Sequence, residues 1–368
     1  KAPQEKPAWR VEHFLGIGRG QQDPALQVRE DDPAAALVVL DDGGLGYREQ
    51  EKAWPAALRT AAAAPWVVLK MAQPVAQGAL WNKLINQHAD RLVVITTVND
   101  LRQTAIQISR NISWERTAQD VSWELTYNPN VNGLSRCAQV IVSFYTAGAI
   151  LLSWKSGKVT ARLFFDPFAM EGDWERQFPG QIVGYTSCLT SAIVRQMMLN
   201  PGEPDFARGI QNGMAAMRCL HTEGFGERGA AINETNLKFP LEKVAEAIAR
   251  DSTPLSTASI QDPAHFLQEP APSDPPPVQH GFWTILEDRY TDSLEEIARH
   301  IVLSGFDKAL REVPIGRFGG LVTVDRREIE ALHSIQSLIG EYCRSPQKKP
   351  LSIAVFGPPG SGKSFGVE

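Results

Sequence analysis

Apolar and polar positions follow two rhythms along the chain. From about residue 36, short apolar runs alternate with longer amphipathic stretches: "ALVVLDD" (36–42), "WVVLKM" (66–71) and "RLVVITTVND" (91–100) are the runs. They are rich in β-branched residues and end in acids, glycine or asparagine, which predicts buried parallel strands. Between and after them, "QEKAWPAALRTAAA", "GALWNKLINQHA" and "SWERTAQDVSWELTYN" predict helices. Pro55 starts or kinks the first. Trp114, Thr117, Val121, Trp123 and Leu125 roughly share a face of the third, which opens at Ser113. Strands separated by 10–15-residue helices imply right-handed βαβ units on a parallel sheet.

The second rhythm begins at "AQVIVSFY", "AILLSW" and "VTARLFF", three apolar runs with short breaks, the last two reading as a hairpin through Ser156-Gly157. A glycine turn then opens the apolar helix "GYTSCLTSAIVRQMML" (184–199). In the next helix Phe206, Ile210, Met214, Met217 and Leu220 recur at helical spacing, as core packing does. Residues 252–280 hold seven prolines between 254 and 277 and read as an extended linker. Beyond it two amphipathic helices are expected, in "TDSLEEIARHIVLSGFDKAL" with Ser293 and Glu296 at capping-box spacing, and over 324–342 with Asp325 and Glu328 at the same spacing.

Composition narrows the class. The 368 residues are 43% hydrophobic and 21% charged, which suits a globular protein of two or three domains. A net charge of −5 gives no electrostatic case for nucleic acid or an anionic membrane. No apolar run reaches the roughly 18 residues of a membrane span, and the cytoplasm is the expected location. The four cysteines and seven histidines are scattered without metal-ligand spacing. Lys1 stands where an initiator Met is expected, so the chain reads as a fragment, abrupt at its far end as well.

That far end is "LSIAVFGPPGSGKSFGVE". Gly357, Gly362, Lys363 and Ser364 match the phosphate-binding pattern G-x-x-x-x-G-K-[ST], behind an expected strand over 351–356. The glycines, Gly360 among them, let backbone N–H groups face the phosphates of ATP. Lys363 reaches the β- and γ-phosphates, and the Ser364 hydroxyl is a Mg²⁺ ligand. The proline pair and "GSGKS" resemble the AAA family of P-loop ATPases. Hydrolysis also needs an acidic residue on a later strand to organise Mg²⁺ and water, so the chain alone is expected to be inactive, its intact form continuing into an ATPase domain through which it could form a homo-oligomer.

In the first 230 residues, "QVIVSFYTAGAILLSWKSGKVTARLFFDP" followed by "GYTSCLTSAIVRQMM" resembles the ribokinase-like (carbohydrate kinase) superfamily. That resemblance implies a three-layer α/β fold with a mostly parallel sheet. It also implies an anion hole at the turn opening the second segment, where the family has G-A/T-G-D and its Asp is the general base. Here Gly184 keeps the first position, Tyr185 and Thr186 replace the middle pair, and Ser187 stands in the place of the Asp. A serine hydroxyl cannot take a proton at neutral pH as a carboxylate does. Asn99 and Asp100 are expected near the nucleotide side. The alternative reading of 184–187 is a plain helix start with Thr186 or Ser187 as the cap.

Other acids stand at strand ends, where open α/β sheets bind ligands. Asp41 and Asp42 close the first run ahead of three glycines, with Arg48 available for a phosphate, and Asp166 closes "FFDP". Solvated turn acids are the alternative reading for all three. The expectation is therefore a ribokinase-like domain over 1–230, a proline-rich linker over 231–280, a helical linker over 281–345 and the start of a P-loop domain over 346–368. The first domain reads as a pseudokinase that binds a nucleotide or small-molecule effector and regulates the ATPase. An active nucleotide-dependent small-molecule kinase and a recruitment or oligomerisation module stay open beside it.

Overall fold

The computed structural model describes residues 30–42, 47–60, 64–155, 158–173, 182–225, 239–250, 255–261, 283–290, 294–344 and 350–356. Its centre is a seven-stranded sheet in simple sequential order. The strands are β1 (Leu37–Asp42), β2 (Trp66–Met71), β3 (Leu92–Thr97), β4 (Gln139–Ser143), β5 (Gly148–Lys155), β6 (Lys158–Phe165) and β7 (Ser256–Ile260). The first four pair parallel and the last three pairings are antiparallel. Five strands, β1–β4 and β6, consequently point the same way, and the mostly parallel, three-layer α/β architecture expected from the sequence is present.

The period of two in the strands explains the layers. Val67, Leu69 and Val94 face one helical layer, while Val68, Val93 and Ile95 face the other, and none of the six exceeds 1% exposure. The first layer comprises α1 (Ala56–Arg59), α2 (Ala79–Gln87), α3 (Val98–Arg102) and α4 (Trp114–Tyr127). The second comprises α5 (Tyr185–Leu199), α6 (Phe206–Glu223) and α7 (Leu241–Ala249). Met214 and Met217 lie in the second core, as the helical spacing predicts. Ser113 caps α4 by accepting from the Arg116 N–H at 3.0 Å. The helix expected over 50–63 is instead, among the described residues, one short 3₁₀ turn over Glu51–Ala53 and the four-residue α1, because Pro55 sits at its N-cap and has no N–H to carry a longer helix through.

The expected linker over 231–280 needs correction. It contains α7, with Val244 and Ile248 buried, and β7, which pairs with β6 and buries Ala258 and Ile260. Alternation in "STASI" is weak in side-chain size, so the strand is visible only once β6 offers its edge. The α/β domain thus extends past residue 230.

The segment expected as a helical linker is packed on the domain. It forms α8 (Ile285–Arg289), α9 (Leu294–Ser304), α10 (Phe306–Ala309), a small hairpin of β8 (Gly316–Phe318) and β9 (Leu321–Thr323), and α11 (Arg326–Arg344). Ser293, the expected cap of α9, lies outside the described residues. Asp325 caps α11 through the Arg327 N–H at 2.7 Å. Trp283 and Ile285 enter the main core. Arg326, 3% exposed, donates to Glu330 at 2.6 Å, to Gln119 of α4 at 3.1 Å and to the Trp283 carbonyl. Ser113 donates to Glu330 at 2.6 Å, and buried Glu115 accepts from the Ile285 N–H at 3.4 Å. Residues 351–356 were expected as a strand; they form none and pair with no described strand, and a lone strand leaves its backbone groups without a ladder.

Breaking this polar junction should be costly. Arg326→Ala is expected to lower unfolding free energy by roughly 3 kcal/mol, since it leaves buried acceptors without their charge partner; a urea titration showing a loss under about 1 kcal/mol would contradict the docking. Burial raises the Glu115 carboxyl above its ordinary range, against the opposing pull of Arg326. A raised folded value means its contribution is fully present below the unfolded-state pKa and is lost as pH rises through the folded one. Glu115→Gln should accordingly flatten the fall in melting temperature between pH 5 and pH 8.

Candidate functional site

The sheet places the carboxyl ends of β1, β2, β3, β4 and β6 on one edge, and the acids singled out in the sequence all stand there. Their environments differ. Asp42 points into the first core layer, 3% exposed, and accepts from Arg48 Nε at 2.5 Å. Arg48, itself buried, also donates to the carbonyls of Ala72, at 2.6 Å, and Pro74. The pair fastens the end of β1 to the turn after β2. Arg48 is therefore not available for a phosphate, nor Asp42 for proton transfer; the sequence showed only that both are charged. Gly43, Gly44 and Gly46 lie outside the described residues.

Asp166 accepts from the Phe168 N–H at 3.1 Å and from Arg218 Nη2 at 3.2 Å. Arg218 also donates to the Thr146 carbonyl at 2.9 Å. Burial lowers the Arg218 guanidinium's pKa, and Asp166 opposes the shift by stabilising its charge. Five strand spacings separate Asp166 from Asp41, about 24 Å, so the two acids do not share a site.

Asp41 points to the opposite face from Asp42, toward α5. Its register partner on β2 is Lys70. Lys70 Nζ donates to Asp41 Oδ2 at 2.8 Å and to Ser187 Oγ at 3.1 Å. This contact joins residues 117 positions apart and brings the first strand pair to the first turn of α5. The side chains of Lys70 and Asp41 are 24% and 62% exposed, so solvent reaches the pair.

The start of α5 depends on Gly184. It is the N-cap residue, with φ of 111°, in the region that favours glycine, and a Cβ there would come within 3.2 Å of the Phe239 ring. No side chain caps the helix, so neither Thr186 nor Ser187 has the capping role the alternative reading gave it. The first-turn N–H groups of a helix have no intrahelical partner and carry the positive end of its dipole. Tyr185 turns inward, where its hydroxyl meets His221 Nδ1. Cys188 is not a nucleophile at neutral pH, because burial pushes its thiol up to about 12.

On the β3 and β4 side, Asp100 is taken up in capping α3, accepting from Thr97 Oγ1 at 2.6 Å while its own N–H donates to the same hydroxyl at 3.0 Å. Asn99 accepts from Arg110 at 3.0 Å and donates to the Tyr145 hydroxyl at 3.2 Å. The Tyr145 and Tyr185 rings lie 5.9 Å apart. Lys70 and Tyr145 were not singled out from the sequence. A lone lysine closing the run "WVVLKM" was the available signal for the first; nothing marked the second.

Gly357, Gly360, Gly362, Lys363 and Ser364 lie outside the described residues. Among the described residues no cluster of three or more His, Cys, Asp and Glu could hold a metal ion, and no helix is long and apolar enough to cross a membrane.

No protein-family model matches the chain, and no curated protein does. Among solved structures, a pyridoxal kinase from Leishmania donovani in complex with ADP and pyridoxamine matches with TM-score 0.38 and 8% identity, over 61% of this chain and 75% of the kinase. An adenosine kinase from Anopheles gambiae, in complex with P1,P4-di(adenosine-5) tetraphosphate, matches with TM-score 0.30 and 14% identity over 50% of each chain. At these scores the likeness carries no argument about chemistry, which rests on the residues above.

The two adjacent aspartates should separate on mutation. Asp42→Ala is expected to cost about 3–5 kcal/mol by stranding buried Arg48, whereas Asp41→Asn should cost less than about 1 kcal/mol, as exposed pairs do. Denaturant unfolding of the two variants measures the difference.

Proposed function

We propose that the α/β domain is a kinase-like ligand-binding domain that takes the phosphate of a nucleotide or phosphorylated small molecule at the mouth of α5. The observation that supports this reading best is Lys70, held between Asp41 and Ser187 beside uncapped helical N–H groups. An ammonium has three donors. Two are used, and the third, with the helix dipole, favours an anion at this point. Ser187 offers a further hydroxyl donor but no base, so binding without phosphoryl transfer is the function we assign. In the intact protein, Gly357, Gly360, Gly362, Lys363 and Ser364 would hold ATP and Mg²⁺, and the α/β domain would regulate that ATPase.

One observation favours a second reading, an active small-molecule kinase. Asp41 keeps a carboxylate at the mouth, against the same lysine that meets Ser187. It would serve as the base that position 187 lacks.

The test uses the whole chain with Lys363→Ala, which removes the lysine of the other nucleotide site. Cutting the chain near residue 250 would strip β7 from the sheet. Thermal-shift titration with inorganic phosphate, sugar phosphates and ADP is expected to reveal a stabilising ligand. Adding Lys70→Ala should weaken its binding ten- to a hundredfold, since a hydrogen bond to a charged group contributes about 1.5–3 kcal/mol. Unchanged binding in the Lys70→Ala variant would refute the site. Phosphoryl transfer abolished by Asp41→Asn would establish the second reading.

A further inference from the structure

A groove of 630 Å³ lies against α4, on the face of the sheet opposite α5, and Lys70, Asp41 and Ser187 do not line it. Its floor is one face of α4, where Arg116, Asp120, Trp123 and Glu124 stand side by side at helical spacing. Its wall is the segment 106–110, which runs antiparallel to α4 and is fastened by side chains instead of a strand ladder. The Gln107 N–H donates to Glu124 Oε1 at 3.2 Å and the Ser109 N–H to Asp120 Oδ2 at 2.9 Å. Ile106 and Ile108, the alternate residues, enter the main core.

These bonds sort the charges of the groove. Asp120 Oδ1 also meets Arg116 Nε at 3.0 Å, and Glu124 Oε2 accepts from Asn128 Nδ2 at 2.6 Å, so both carboxylates are held in place. Arg102 is a fastener, donating to the carbonyls of Ile108, at 3.3 Å, and Ser109 and to both oxygens of Glu171. Arg110 and Arg116 differ. A guanidinium carries five N–H donors. Among the described residues, Arg110 donates to Asn99 Oδ1 at 3.0 Å and Arg116 to Asp120, one bond each. Donor capacity is therefore concentrated at the end of the groove where α4 begins, and paired guanidinium forks suit a phosphate or carboxylate. At the other end Trp123, half-buried with its ring 4.5 Å from that of Tyr127, supplies a flat surface for stacking. Seven residues of helix separate Arg116 from Trp123, about 10 Å along the axis, so a ligand that meets both carries its anion and its ring on a spacer. Glu124, next to Trp123, has two further lone-pair sites for an N–H on that ring.

We propose that this groove binds a nucleoside monophosphate with an amino-bearing base, its phosphate on Arg110 and Arg116 and its base against Trp123 with the amino group toward Glu124. The volume lies within the range of roughly 300–1,000 Å³ that small-molecule sites occupy. The site is separate from the mouth of α5 and does not depend on it.

The test removes both other phosphate sites first, using the whole chain with Lys70→Ala and Lys363→Ala. Calorimetric titration of this chain with AMP, adenosine and ribose 5-phosphate separates the contributions of ring and anion. AMP is expected to bind at least tenfold more tightly than either part. Arg110→Gln and Trp123→Leu, added singly, should each weaken AMP at least tenfold, and Trp123→Leu should leave ribose 5-phosphate unchanged. Arg110 is exposed, so its variant reads the site even if Trp123→Leu does not fold. AMP binding that neither variant alters would overturn the groove as the site. Ribose 5-phosphate binding as tightly as AMP would overturn the role of the ring. If AMP does not bind the doubly substituted chain, the proposal fails, while the α5 mouth is judged separately on chains that keep Lys70.

Discussion

The central strands of this domain are apolar on both faces, and the rest of the architecture follows from that constraint. Val67, Val68 and Leu69 of β2, and Val93, Val94 and Ile95 of β3, are all within 1% of complete burial. A sheet of this kind is stable only with a helical layer on each side. The layers leave no place for charge within β2 and β3, so the polar side chains of these strands collect toward their ends. Lys70 is the one charged residue of β2 and stands one position before its last residue, and Asp41 and Asp42 close β1. The chemistry of the domain is confined to one edge by the hydrophobic requirement of its middle.

At that edge the pleat decides which charges are structural. Neighbouring residues of a strand face opposite layers, so Asp42 meets Arg48 among buried residues while Asp41 meets Lys70 beside α5. A one-residue slip in the register of β1 would exchange the two roles. The α5 helix adds the positive end of its dipole to that edge, and it begins at Gly184, whose left-handed conformation and closeness to Phe239 a residue with a side chain would adopt only with strain.

The segment after residue 282 belongs energetically to the α/β domain. Trp283 and Ile285 complete its core, and Arg326 ties α11 to α4 through Gln119 and the Trp283 carbonyl. Charges buried at such a junction favour one docking geometry over others, because a displaced guanidinium or carboxylate would be left without partners. In contrast, Ile335, Leu338 and Ile339, farther along α11, are exposed, so the junction is confined to the first turns of that helix.

Much of the fold was legible in the sequence. The apolar runs of β1 to β6, the antiparallel pairing of β5 with β6 and the helices α4, α5 and α6 carry strong periodicity, and local pattern reports burial directly. Strand β7 was not legible, since "STASI" has little hydrophobic contrast and becomes a strand only against β6. Of the site, residue chemistry pointed to Asp41 and to the turn at Gly184–Ser187, and to Asp42, Arg48 and Asp166 with equal weight. Only the tertiary structure separated them, because pairing depends on which face of the sheet a side chain leaves from and on what lies across it. Lys70 and Ser187 are distant in sequence and meet through sheet order and helix placement. The sequence by itself determined the layers and the chemical inventory of the edge; the fold decided which of those groups are buried fasteners and which stay open to solvent.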